Sequence, residues 1–274
     1  MQYFSTRDAS LRVSSAKAIA QGLSRDGGLF APVSIPTITA ESIRKLRKMS
    51  YAERAAFVIG LFLDDYSEEE LLGFSKIAYG QDRFSSPTVA PVRALTDEVH
   101  ILELWHGPTC AFKDMALQML PHLLTSALKK TGETRRACIL VATSGDTGKA
   151  ALQGFADVPG TQIAVFYPKD GVSRVQELQM TTQTGENVYV SSVHGNFDNV
   201  QTKMKEIFSS EELRERANKS GAFFSSANSI NWGRAVPQIA YYVSGYCDLL
   251  ESGRIVEGEP INICVPTGNF GNIL

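Results

Sequence analysis

Between residues 99 and 265 the chain alternates short, β-branched apolar runs with segments of helical period, and this alternation restricts its possible folds more than any other feature. Strands are expected at 99–105, 138–143, 162–167, 187–193 and 261–265, and helices at 112–130, 147–157, 174–184, 197–208 and 236–251. A run such as Ile139-Leu140-Val141 has no polar alternate residue, so both faces of its strand must be covered. That is the property of a parallel sheet flanked by helices, and it places the chain in the α/β class. Pro121 falls inside the first of these helices, where its missing N–H must kink or restart the helix.

The residues before this region read as mostly helical after an extended start, with helical patterns at 40–49, 51–64 and 68–79. The last is preceded by Ser67 with Glu70 three residues on, a capping box. Asp26-Gly27-Gly28, Pro32 and Pro36 mark turns. The expected division is a helical N-terminal segment over residues 1–90 and an α/β catalytic region over 91–274. No internal repeat or low-complexity segment interrupts either part.

Composition removes several functional classes. With 274 residues, 43% of them hydrophobic, the chain has room for one large domain or two modest ones around a buried core. Its 27 basic and 29 acidic side chains are interspersed and give a formal charge of −2, so no field draws nucleic acid. The longest strongly apolar stretch, residues 55–63, is far shorter than the roughly 20 residues of a membrane span. Gln2-Tyr3-Phe4-Ser5-Thr6-Arg7-Asp8 has none of the apolar core of a signal peptide, and a cytoplasmic location is expected. Cys110, Cys138, Cys247 and Cys264 stand far apart, without a CxxC pair or a histidine at ligand spacing, which indicates neither a metal site nor a disulfide framework. Cys110 reads as a small residue at a tight turn, and His100, His106, His122 and His194 default to structural roles.

Three small-residue strings stand out against this background: His106-Gly107-Pro108-Thr109-Cys110-Ala111-Phe112-Lys113-Asp114, Ser144-Gly145-Asp146-Thr147-Gly148, and Gly268-Asn269-Phe270-Gly271-Asn272. Each is expected to follow a strand, and in open parallel sheets ligands sit beyond the carboxyl ends of the strands. The first presents an amine at the start of a helix, where a cation opposes the macrodipole and its proton affinity falls. Glycines in the other two let backbone N–H groups approach an anion, a carboxylate for the second and a phosphate for the third. An amine, a carboxylate clamp and a phosphate cradle are together what pyridoxal phosphate chemistry requires. The third string has no Walker ending and no GxGxxG spacing, which argues against a nucleotide enzyme. Taken alone, Ser144–Gly148 also fits an ordinary turn with Asp146 or Thr147 as the helix cap. Ser226-Ala227-Asn228-Ser229-Ile230-Asn231-Trp232-Gly233-Arg234 is dense in hydrogen-bonding groups and ends in a guanidinium suited to a phosphate. It fits a helix cap at Asn228 or Ser229 equally well, and the residues alone leave the two uses open.

These strings, with YFSTRD and SRDGGLF near the start, resemble threonine synthase, a member of the pyridoxal-phosphate family that shares the tryptophan synthase β-subunit fold. The likeness spans almost the whole chain. It implies parallel sheets flanked by helices behind a helical N-terminal segment, and a Schiff base to the cofactor on Lys113. It implies cofactor phosphate held by N–H groups of Gly268, Asn269, Phe270, Gly271 and Asn272. Ser144, Asp146 and Thr147 would face the substrate carboxylate or the cofactor ring edge, and substrate phosphate would meet Asn228, Ser229, Asn231 and Arg234. The implied reaction converts O-phospho-L-homoserine and water to L-threonine and phosphate, by a monomer or a homodimer. Relatives of this type continue well beyond the phosphate loop, so the chain is expected to be an N-terminal portion lacking the C-terminal part of the large domain and inactive or poorly folded alone. A related lyase or dehydratase releasing an oxoacid, and a non-catalytic binder of a phosphorylated ligand, are the alternative readings.

Overall fold

In the computed structural model, residues 1–268 and 270–273 are described. The N-terminal part holds more strand than its sequence pattern suggests. β1 (Gln2–Ser5) pairs antiparallel with β2 (Asp8–Ser14) on one side and with a later strand on the other. The chain then forms α1 (Ser15–Gln21) and passes the turn at Asp26, whose carboxylate accepts from Ser5 Oγ and Gly28 N at 2.8 Å each. It returns as β3 (Phe30–Pro32), completing the sheet order β2-β1-β3. Three helices follow: α2 (Ala40–Leu46), α3 (Tyr51–Gly60) and α4 (Glu68–Ala78). The capping box at α4 has the expected form, with Ser67 Oγ accepting from Glu70 N and Glu70 accepting from Ser67 N. Tyr3, fully buried, donates its hydroxyl to Phe62 O at 2.9 Å and ties the small sheet to these helices.

β4 (Val92–Ala94) and β5 (His100–Leu102) make a separate antiparallel ribbon, so the strand expected at 99–105 lies outside the parallel sheet. The reason is visible in its side chains: Val99, Ile101 and Trp105 remain exposed, as in a ribbon with only one face covered. The helix expected at 112–130 divides into α5 (Asp114–Leu117) and α6 (Leu120–Lys130), with Pro121 in the first turn of the second, where a missing N–H costs nothing.

The centre of the molecule is the four-stranded parallel sheet. β6 (Arg136–Ala142), α7 (Asp146–Phe155), β7 (Thr161–Pro168), α8 (Arg174–Thr181) and β8 (Val188–Val193) alternate as expected. α9 (Phe197–Ser209) and α10 (Glu211–Lys219) then lead to β9 (Ala222–Ser225), which pairs with β6 and gives the order β8-β7-β6-β9. Alternate residues of β6 divide between two cores. Ala137, Ile139 and Val141 face the main core with Ala150, Ala151 and Phe155 of α7, whereas Leu140 and Ala142 face Val200 and Met204 of α9. Each valine, leucine, isoleucine, phenylalanine or methionine among them contributes about 1.5–3 kcal/mol by leaving water, so the sheet is a firm platform. α11 (Trp232–Ala235) and the long α12 (Pro237–Glu251) close the main core from the other side. Residues 261–265, expected as a strand, form none. No neighbouring strand pairs with them among the described residues, and Ile263 stays 55% exposed. No described helix is long and apolar enough to cross a membrane.

Candidate active site

β6 and β9 are neighbours and parallel, so the loops that leave their carboxyl ends lie side by side. One is residues 143–148 and the other residues 226–231. The first is pinned from within: Thr143, buried, accepts from Gly145 N at 3.0 Å and Gly148 N at 2.8 Å, and donates to Gly145 O at 3.1 Å. Gly148 must be glycine, since a Cβ there would stand 2.5 Å from Thr143 Cγ2 and 2.7 Å from Met180 Sδ. Gly145, at φ +143°, takes the helix-cap position of α7 without a side-chain bond. The cap therefore comes from neither Asp146 nor Thr147, and the Asp146 side chain is left free to turn outward.

It turns to Lys113. The lysine Nζ lies 3.3 Å from Asp146 Oδ2, and its side chain is 17% exposed against 48% for the aspartate. Burial pushes the Lys113 amine below its ordinary pKa and the Arg234 charge adds to that, while Asp146 and Asp114 oppose it. The bend that delivers Lys113 is organised by Asp114. Its carboxylate is fully buried and accepts from Thr109 N and Thr109 Oγ1, both at 2.8 Å. A Cβ on Gly107 would lie 2.5–2.9 Å from that side chain. Cys110 has φ +57° and serves the turn. Burial raises the Asp114 pKa, against the two Thr109 bonds and the Arg234 charge.

Arg234 sits beneath these groups, 2% exposed. Its Nη1 donates to Ala227 O at 3.0 Å, and its buried Nε has no partner among the described residues. Burial lowers its pKa to about 10, which leaves it charged at neutral pH. A buried guanidinium with an unmet donor and no carboxylate in ion-pair contact among the described residues is costly unless an anion approaches it. Gln238 links it to the last loop, donating to Arg234 O at 2.9 Å and Gly271 O at 3.3 Å. Tyr242 adds a bond to Asn272 O at 2.5 Å, and Asn272 Nδ2 donates to Pro266 O at 3.0 Å. Gly271 and Asn272 thus lean on α12 through its side chains, and the described residues before them form no strand. Gly268 has open space around it and Phe270 is exposed. Asn269, expected among the phosphate contacts, lies outside the described residues.

The substrate string divides in two. Ser226, Asn228 and Ser229 line a cavity of about 1110 Å³ together with Phe270 and Gly271. Asn228 is also tied to the sheet, its Nδ2 donating to Ala142 O at 3.2 Å. Asn231 is buried in the wall: its Nδ2 donates to Ile19 O and Ser226 O, and its Oδ1 accepts from Gly233 N. It is the cap of α11, a role for which the sequence pattern offered Asn228 or Ser229 as one of two open uses. Its amide is spent on the fold, which argues against the substrate contact expected of it. Ser144 is exposed and Thr147 half-buried beside Asp146.

Thr143, Gln238 and Gln176 were not singled out by their sequence context, and Asp114 was read only as part of the lysine string. Only Gln176 carried a local signal, as the fourth residue of the Ser173-Arg174-Val175-Gln176 capping box, and that signal speaks of helix α8 alone.

A structure with the same parallel α/β architecture is that of the pyridoxal-phosphate-bound threonine synthase from Brucella melitensis. That structure matches this one with a TM-score of 0.85 at 39% identity, over 100% of this chain and 56% of that one. A family model described as the threonine synthase N terminus matches residues 2–79. Threonine synthase of Pseudomonas aeruginosa is 38% identical over 100% of this chain and 55% of its own length. Human threonine synthase-like 1 is 39% identical over 94% of this chain and 36% of its own length. Over nearly its whole length the chain is similar to threonine synthases, and it spans about half the length, or less, of the relatives it matches.

Proposed function

We propose that this chain carries the lysine and the anion loops of a threonine synthase acting on O-phospho-L-homoserine with pyridoxal phosphate. The observation that carries the reading is the Lys113 amine, mostly buried, shifted toward its neutral form, and held 3.3 Å from Asp146 at the edge of the sheet. The residues suit the cofactor: an amine for its aldehyde and the glycines of 268–272 for its phosphate. When bound, pyridoxal phosphate supplies an electron sink that lets a proton leave the amino acid carbon.

The chain's own residues do the remainder. Lys113 is the base in reach, because burial lowers the proton affinity of its amine. Ser144, Thr147 and the first N–H groups of α7 would receive a substrate carboxylate. Arg234, with Asn228 and Ser229 on the cavity wall, supplies the donors for a substrate phosphate. The test is absorbance of the chain with pyridoxal phosphate, with and without Lys113→Ala, followed by product analysis from O-phosphohomoserine. A Lys113-dependent visible band with threonine and phosphate as products is expected. An oxoacid product would replace this reading with that of a related lyase, and a folded chain that gives no band would overturn cofactor binding.

A further inference from the structure

Asp146 is half exposed, and an exposed carboxylate paired with a lysine is ordinarily free to rotate and worth little. Here its second oxygen is taken. Gln176 Nε2 of α8 donates to Asp146 Oδ1 at 2.7 Å, while Asp146 Oδ2 faces Lys113. The orientation of the Gln176 amide is not arbitrary. Its oxygen accepts from Ser173 N at 3.2 Å in the capping box of α8, and its backbone N donates to Ser173 Oγ at 3.3 Å. Flipping the amide would set its oxygen against a carboxylate and its NH₂ against an N–H, losing both bonds. The helix cap therefore aims the amide N–H₂ at Asp146. Gly145 completes the arrangement, because a Cβ there would stand 2.4–2.7 Å from the Gln176 amide atoms.

We propose that Gln176 is a positioning residue for Lys113, acting through Asp146: its amide fixes the carboxylate that governs how readily the lysine gives and takes a proton. This rests on the role given above to Lys113. The charged groups that bear on the amine are Asp146 and Asp114, which favour its charged form, and Arg234, which disfavours it. Only Asp146 among them is exposed enough to swing, so only Asp146 needs a second anchor.

The test reads Lys113 itself, without cofactor, as the pH midpoint of its labelling by an amine-reactive reagent, measured on the Lys113 peptide by mass spectrometry in the folded chain. Asp146→Asn should lower the midpoint by roughly 1 unit, since an opposite charge within about 4–6 Å is lost. Gln176→Met should lower it by part of that amount and add nothing in the Asp146→Asn background, the signature of action through Asp146. Gln176→Glu retains the acceptor for the α8 cap but removes the donor that fixes Asp146 and sets a like charge against it, and should shift the midpoint away from native. If Gln176→Glu behaves as native, Gln176 serves only the helix cap and the proposal is overturned. It is overturned equally if Gln176→Met leaves the midpoint unchanged, or shifts it as far when Asp146 is absent. Failure to bind pyridoxal phosphate would sink the proposed function while leaving this titration readable, so the two failures are distinct.

Discussion

Residues 143–148 and residues 266–272 are both glycine-rich strings of the kind that cradle an anion, yet the chain supports them in opposite ways. The first continues a buried central strand, is pinned by Thr143 through two N–H bonds and one carbonyl bond, and runs directly into α7. The second follows residues that pair with no strand among those described, and it leans on α12 through Gln238 and Tyr242. A glycine string thus becomes a preformed site only where flanking backbone is already fixed by hydrogen bonds and core packing. Where it is not, the same residues supply the capacity to bind without the geometry.

Substitution can break this contrast. Gly148→Ala should be the most damaging, because the new methyl meets Thr143, Met180 and Val165 within 2.9 Å. Overpacking on that scale costs about 3 kcal/mol, read as a lowered denaturant midpoint. Retained native stability would show that the loop is less fixed than its hydrogen bonds indicate. Thr143→Val keeps the shape but strands the N–H groups of Gly145 and Gly148, for an expected loss of about 2 kcal/mol in the same denaturation experiment.

Effects on the other loop should be smaller and local. Gln238→Leu removes the bonds to Arg234 O and Gly271 O and should cost about 1 kcal/mol. Hydrogen exchange should quicken around residues 266–273 and stay unchanged at 143–148; faster exchange at both would mean that the loops are coupled. Gly268→Ala places a methyl in open space and should leave stability within about 0.5 kcal/mol of native. If it instead weakens pyridoxal phosphate binding at unchanged stability, the loop is confirmed as a ligand surface with no structural duty.

The parts of the fold that were legible are those with strong local signals. The apolar run around Ile139-Leu140-Val141 announced a strand covered on both faces, and the structure places it at the centre of the parallel sheet. Pro121 announced the restart of a helix at α6, and Ser67 with Glu70 announced the beginning of α4. β9 passed unnoticed because Ala222–Ser225 is four residues long and gains its identity from β6 alongside it. The opposite error occurred at 261–265, whose pattern suits a strand that finds no partner among the described residues. Strand propensity describes a surface to be paired, and pairing is a property of the neighbour.

The candidate site divides along the same line. The sequence by itself determined the chemical inventory: an amine at Lys113, glycines able to admit an anion, a guanidinium at Arg234, and sheet strands to carry them. Only the tertiary structure decided which groups face one another. It brought Asp146 to Lys113 across 33 positions, buried Arg234 with an unmet Nε, spent Asn231 on capping and tying the core, and set Gln176 behind Asp146. The physical reason is that residue type and local period are written along the chain, whereas proton affinity and hydrogen-bond partnership depend on burial and on neighbours that meet only after the sheet has formed.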